Sequence, residues 1–273
     1  MTPTSTYTNI TQADSKAETS SMDVAGYLAR IGYRGEHEPT IDVLRRLHRQ
    51  HMLSVPFENL DIHLGRPIKL DPRLFYRKIV GDRRGGYCYE LNGCFSWLLR
   101  KLGFRVSMLS ARVAGADGRL TPEFDHLVLL VTLRERWLVD VGFGDSFTWP
   151  KPVDGLDGER DHGYFYRTTD AGGKRTVSRR AGEHMPWRAQ YAFSLLPRRL
   201  SEFEARNRYQ QTSPKSHFTQ QRLISKLTRA GRITLTDSTL IITKGEERVE
   251  HEVNDPGKFD RLLSKHFRIA MPK

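Results

Sequence analysis

Only two cysteines, Cys88 and Cys94, occur among 273 residues. A disulfide framework is thereby excluded, and six positions apart on one expected helix the pair is badly placed to bridge. Neither a C-x-x-C pair nor His/Cys pairing at metal spacing occurs, which argues against a zinc site. No stretch approaches the ~20 apolar residues of a membrane span; the longest apolar run, Leu127 to Val131, has the length of a strand. The N-terminal segment has no apolar core, so it is not read as a secretory signal. It carries Asp14 and Glu18 but no arginine, unlike a mitochondrial transit peptide. Residues 1–22, rich in Ser and Thr, read as a disordered tail outside the fold, and a cytoplasmic location follows as the default.

What the chain does contain is enough apolar residue, 38%, for a substantial core, and a net charge of +12. That charge raises nucleic acid as a partner, but the basic residues run along the whole chain and no nucleic-acid module is visible. An anionic small ligand drawn to a basic groove accounts for the charge better; a merely solvated basic surface is the bland alternative. Residues 24–54 read as helical, with Asp23 as a cap. Residues 55–72 read as loop and 73–80 as a short helix. Residues 88–102 form an amphipathic helix with Leu91, Phe95, Leu98, Leu99 and Leu102 at helical spacing, stopped by Gly103. Strands are expected over 105–113, 126–133, 136–141, 164–168, 175–179 and 191–195. Residues 151–163, rich in Gly, Asp and Pro, read as a loop or insertion. A helix over 201–209 and a Pro-containing loop over 210–218 precede strands over 232–236 and 239–243 and a helix over 256–266. Helices first and strands afterwards point to an α+β fold.

Chemistry concentrates at three residues. Cys88 follows Arg84-Gly85-Gly86-Tyr87 and opens a helix. The glycines permit a sharp turn and close approach of a ligand, and the free N–H groups of a helix start lower a thiol pKa. Most free cysteines are buried structural residues; Cys94, on the apolar side of the helix, fits that description and Cys88 does not. His126 opens an apolar strand, and Asp140 sits in the apolar run Leu138-Val-Asp-Val-Gly-Phe-Gly144, where a carboxylate is costly unless paired. If 126–133 and 136–141 form a hairpin, His126 and Asp140 can meet across the ladder. A nucleophile, a base and an orienting acid then stand together, although each member alone also suits a structural role.

These residues resemble the arylamine N-acetyltransferases. Arg84-Gly-Gly-Tyr-Cys-Tyr-Glu-Leu-Asn92 is similar to the active-site signature of that family. Tyr27–Tyr33, Val55-Pro-Phe-Glu-Asn-Leu-Asp61, Asp125-His-Leu-Val-Leu-Leu-Val, Val139-Asp-Val-Gly-Phe-Gly and Asn207–Phe218 resemble further blocks in the same order. The resemblance implies an N-terminal helical bundle carrying the cysteine (23–103), a central β-barrel (104–200) and a C-terminal α/β lid (201–273). It also implies a catalytic core shared with papain-like and transglutaminase-like enzymes. Cys88 would be the acyl carrier, His126 the base and Asp140 its orienting acid. Glu58 and Arg84 match positions that would support the site by an ion pair, and Arg30 matches another supporting position. Phe143 would line the acyl and amine pocket, Gly142 and Gly144 would keep its loop close to the cofactor, and Thr212, Ser213 and Ser216 would approach coenzyme A.

The implied reaction is ping-pong acetyl transfer from acetyl-CoA, as cosubstrate, to an arylamine or hydrazine. It needs no metal, nucleic acid or membrane. Three alternatives share the residues: an amide synthase acting on a carrier-linked polyketide, a cysteine protease or transglutaminase, and a basic nucleic-acid binder with a dead site. The natural amine, the acyl preference and the oligomeric state are not legible in the sequence.

Overall fold

A computed structural model describes residues 22–245 and 247–270; the tail expected over 1–22 lies, apart from Met22, outside the described residues. The first helix, α1 (Val24–Ile31), starts where the Asp23 carboxylate accepts the N–H groups of Ala25 and Gly26. It ends at Gly32, whose φ of 67° only glycine adopts cheaply. The helical stretch expected over 24–54 is divided here, with α2 (Ile41–Ser54) restarting behind the Thr40 cap. A two-residue strand, β1 (Phe57–Glu58), and two short helices, α3 (Leu60–His63) and α4 (Pro72–Tyr76), follow. A π-helical turn over Arg77–Gly81 extends α4.

The central helix, α5 (Cys88–Lys101), begins at the cysteine. Its heptad-like run of Leu91, Cys94, Phe95, Leu98 and Leu99 is fully buried. Gly103, at φ 87°, ends the helix as expected. Apolar side chains on this many sides make α5 a core helix, wedged between α1, α4 and the first strands of a sheet.

That sheet has eight antiparallel strands. They are β2 (Arg105–Val113), β3 (His126–Thr132), β4 (Arg136–Val139), β5 (Lys151–Pro152), β6 (Glu159–Asp161), β7 (Tyr164–Ala171), β8 (Lys174–Arg180) and β9 (Arg188–Arg198), in the order β5-β4-β3-β2-β9-β8-β7-β6. The barrel expected here is not closed by a ladder: β5 and β6 are the two edges of an open, curled sheet. A two-residue β5 ending in Pro152, which has no N–H to donate, cannot extend the pairing. Side chains span the gap instead, with the buried Lys151 Nζ 2.9 Å from Asp161 and 2.6 Å from Glu159. The segment expected to be loop, 151–163, thus contains both edge strands.

The chain continues through a 3-10 turn (Leu200–Phe203), α6 (Glu204–Thr212) and α7 (His217–Gln220). Strands β10 (Leu223–Leu227), β11 (Gly231–Thr236), β12 (Thr239–Lys244) and β13 (Glu247–Glu252) then form an antiparallel sheet covered by α8 (Pro256–Phe267). The remaining member of this sheet is β1, which pairs with β10. The C-terminal part is therefore not self-contained, and the short β1 ties it to the segment leading to Cys88. No helix among the described residues is long and apolar enough to cross a membrane.

Candidate active site

Cys88 is the first residue of α5 and lines a cavity of about 830 Å³ shared with His126, Gly142, Phe143 and residues of α6 and α7. The turn before it depends on Gly85: a Cβ there would stand 2.0 Å from the Pro56 carbonyl oxygen. Glu90, one turn into the helix, accepts the Tyr87 N–H at 3.1 Å and so ties down the helix start. Burial pushes the Cys88 thiol well up, against the pull of backbone hydrogen bonds from Leu127 and Tyr89. The lowered thiol pKa expected from the helix terminus is therefore not the state of this buried sulfur on its own. A thiolate here needs a proton acceptor inside the cavity.

An imidazole lining the same cavity stands on the hairpin. β3 and β4 pair with Leu129 opposite Val139, which makes His126 and Asp140 diagonal neighbours on one face just past the last paired residues. His126 Nε2 lies 2.7 Å from Asp140 Oδ2. This leaves Nδ1 as the ring nitrogen free for another group. The imidazole is packed by Phe143 and Tyr191, with ring centroids 5.2 and 5.3 Å away. Asp140 is buried, which alone would raise its carboxyl. The His126 ring, the Asn92 amide at 2.9 Å and the Gly142 N–H at 2.9 Å outweigh burial and hold it below the usual carboxylate range. So an apolar run can carry a charged aspartate, because every oxygen has a donor.

Two residues without an assigned role in the sequence reading complete this frame. Asn92 donates to Asp140 and to the Leu127 carbonyl at 2.7 Å and accepts the Val141 N–H at 3.0 Å. It stands four residues after Cys88, on the same helix face, and that spacing was the available signal. His48 on α2 places Nε2 3.1 Å from the Asp140 carbonyl and Nδ1 3.0 Å from the Thr148 carbonyl. Burial pushes its pKa down to about 4, so it is neutral near physiological pH. No local pattern in the sequence marks His48, because its partners lie about a hundred residues away.

The residues expected to support the site fall behind Cys88. Arg84 meets Glu58 at 2.8 Å and Asp61 at 3.2 Å. Lys78 adds contacts to Asp61 at 2.7 Å and Glu90 at 2.9 Å, so the expected ion pair is one edge of a buried five-residue network. Among the described residues Arg30 pairs with no carboxylate. Its guanidinium donates to the carbonyls of Ile79, Ser54, Arg83 and Arg84, fixing the loop that enters the Cys88 turn. Around the cavity, Gly142 packs so tightly that a Cβ would lie 2.9 Å from Cys88 Cα. Gly144, at φ 89°, lies just outside the cavity lining, and its carbonyl accepts from Arg232. Ser216 lines the cavity and donates its hydroxyl to Gln210 at 2.6 Å. Ser213 and the exposed Thr212 do not line it; the Thr212 hydroxyl donates to the Arg208 carbonyl. No group of three or more His, Cys, Asp or Glu side chains among the described residues is arranged to hold a metal ion.

The sequence and the fold have counterparts among known proteins. A family model described as N-acetyltransferase matches residues 40–273. The arylamine N-acetyltransferase of Escherichia coli K12 is 39% identical over 77% of this chain and 75% of its own. The solved structure of arylamine N-acetyltransferase from Salmonella typhimurium superposes with a TM-score of 0.84 at 33% identity, covering 89% of this chain and 90% of that one. That of Mycobacterium marinum arylamine N-acetyltransferase in complex with CoA gives 0.84 at 33% identity, covering 90% and 93%. The chain belongs to the arylamine N-acetyltransferase family and is an N-acetyltransferase of that kind.

Proposed function

We propose that the protein transfers an acetyl group from acetyl-CoA to an arylamine or arylhydrazine by way of a thioester on Cys88. The observation that carries this reading is the buried His126–Asp140 pair, 2.7 Å apart, whose imidazole lines the same cavity as a cysteine at a helix start. Acetyl-CoA as the acyl donor is supported by the CoA complex of the Mycobacterium marinum relative.

The cycle follows from the proton inventory. Asp140, held ionised, accepts the Nε2–H of His126, and Nδ1 is left with a lone pair. His126 takes the thiol proton, and the resulting thiolate–imidazolium pair carries no net charge, so burial penalises it far less than a lone thiolate. The sulfur attacks the thioester carbonyl of acetyl-CoA, and N–H groups at the start of α5 stabilise the oxyanion. The carbon–sulfur bond to coenzyme A breaks, and its thiolate leaves with the proton from His126. Acetyl-Cys88 remains, with His126 neutral. The amine nitrogen then attacks this thioester, His126 takes the nitrogen's proton, and Cys88 sulfur leaves as the amide departs. Phe57, Phe143 and Phe218 line the cavity, which suits an aromatic ring and limits water.

Release of free coenzyme A from acetyl-CoA, with and without 5-aminosalicylate or hydralazine, tests the reading. Amine-dependent release that vanishes in Cys88→Ala is the expected result. No release with any arylamine, from protein whose Cys88 still reacts with iodoacetamide, would turn attention to a carrier-linked acyl donor or to protease-like chemistry on the same residues.

A further inference from the structure

The residue before His126 is a second buried carboxylate. Asp125 is 8% exposed and lines the same cavity as Cys88. Its Oδ1 accepts from the guanidinium Nε of Arg206 and, at 2.6 Å, from the amide of Gln210. Both donors sit on one face of α6, four residues apart. Gln210 is held in turn by the Ser216 hydroxyl, whose oxygen also accepts the Phe218 N–H at the start of α7.

The backbone entering His126 is held as firmly. Phe124 has φ 66°, in the left-handed region that a bulky residue avoids. Its N–H donates to Ser110 Oγ at 2.7 Å, and its carbonyl accepts from the Tyr89 hydroxyl at 2.6 Å. Its ring packs edge-on against Phe203, with centroids 5.2 Å apart. A strained turn persists only when its surroundings over-determine it, and here the surroundings come from α5, β2 and the 3-10 turn before α6.

We propose that Arg206 and Gln210 are positioning residues for the acetyl transfer: they lock the Asp125–His126 strand end and screen the Asp125 charge from the Cys88–His126 pair. The inference rests on the proposed role of Cys88 as nucleophile. An unscreened carboxylate beside the thiol opposes thiolate formation and favours the protonated imidazole. The Coulombic push of Asp125 on the thiol acts in this direction. Arg206 supplies the compensating charge from outside the Cys88, His126 and Asp140 set. The lock also connects the α6–α7 segment to the base, because Ser216, Gln210 and Asp125 form one unbroken chain of hydrogen bonds.

The other ionisable groups at this end of the cavity are accounted for. Asp140 on the β3–β4 hairpin and Tyr191 on β9 flank the imidazole. Tyr87 and Tyr89 belong to the start of α5. Tyr209 on α6, Lys215 on the segment after it and His217 at the start of α7 line the cavity. None of them changes in the variants below.

The test is the pH profile of Cys88 alkylation by iodoacetamide, measured without acetyl-CoA on the full chain. In Arg206→Gln the profile moves to higher pH by about one unit, as expected for loss of a nearby positive charge. Arg206→Lys restores most of the wild-type profile. Asp125→Asn with Arg206→Gln also returns it toward wild type, because both charges of the pair are gone, and this cycle separates screening from packing. Arg206→Gln with an unmoved profile, or a double variant shifted as far as the single one, would overturn the proposal while leaving the transferase reading intact. A wild-type profile with no titration step would remove both. Should Arg206→Gln fail to fold, Asp125→Asn alone must move the profile to lower pH; an unchanged profile there is equally decisive against screening.

Discussion

Replacing Asp140 by Asn probes the proposed mechanism through two separable effects. One Asp140 oxygen accepts from Asn92 and Gly142, and the other accepts from His126 Nε2. An asparagine must keep its own oxygen toward the Asn92 and Gly142 donors, since the reverse orientation would set donor against donor at both contacts. Its amide then faces His126 and can only donate. The ring must answer with a lone pair on Nε2, which moves its proton to Nδ1, the nitrogen that has to receive the thiol proton. Restoring the productive tautomer costs about 2 kcal/mol, comparable to giving up one buried hydrogen bond. The charge-assisted bond to the imidazolium is lost as well, about 2–3 kcal/mol more. At 1.36 kcal/mol per tenfold in rate, the sum is a loss of roughly 10³- to 10⁴-fold. The assay is arylamine-dependent release of coenzyme A thiol, alongside circular dichroism to establish folding. A folded Asp140→Asn protein within tenfold of wild-type rate would refute the reasoning and remove Asp140 from the mechanism.

Three further outcomes follow from the same frame. Asn92→Ala strips a donor from Asp140 and from the Leu127 carbonyl and an acceptor from the Val141 N–H; it should lower stability by about 2–4 kcal/mol in urea unfolding and transfer rate by at least about tenfold. Gly142→Ala places a methyl 2.9 Å from Cys88 Cα and 3.1 Å from its carbonyl oxygen, so steady-state kinetics should show a slower enzyme from protein that still folds. His48 is neutral in the folded state because burial lowers its pKa from 6.5 to about 4. Below pH 6.5 the unfolded chain alone takes up this proton, so the stability contributed by neutral His48 is lost as pH falls toward 4. Against His48→Gln, the wild-type advantage in unfolding free energy should shrink by about 3 kcal/mol across that window. Glu90, pushed up to about 7 chiefly by burial, works in the opposite direction but is common to both proteins.

The parts of this molecule that could be read from sequence are those with local causes. The helix from Cys88 to Gly103 announces itself through apolar spacing and a left-handed glycine stop, and β2 runs over the expected residues. The meeting of His126 and Asp140 was also legible, because fourteen residues and one tight turn separate them. What was not legible depends on distant partners. The β13 sequence Glu-Arg-Val-Glu-His-Glu is exposed along its length and has no alternation to betray a strand; pairing with β12 makes it one. β1 is two residues long and exists because β10 lies beside it. His48 and the Arg206–Gln210 pair gain meaning only when α2 and α6 are packed against the hairpin. The open sheet in place of a closed barrel turns on Pro152 and the shortness of β5, details that family resemblance does not carry.

The most direct test of the central claim is intact-protein mass spectrometry after mixing with acetyl-CoA in the absence of any amine, followed by peptide mapping. The account expects the mass of one acetyl group on Cys88, discharged when an arylamine is added and absent from Cys88→Ala. Steady turnover of an arylamine with no acetyl group ever found on Cys88 would contradict it, and would mean that the acetyl group passes from donor to amine without touching the cysteine.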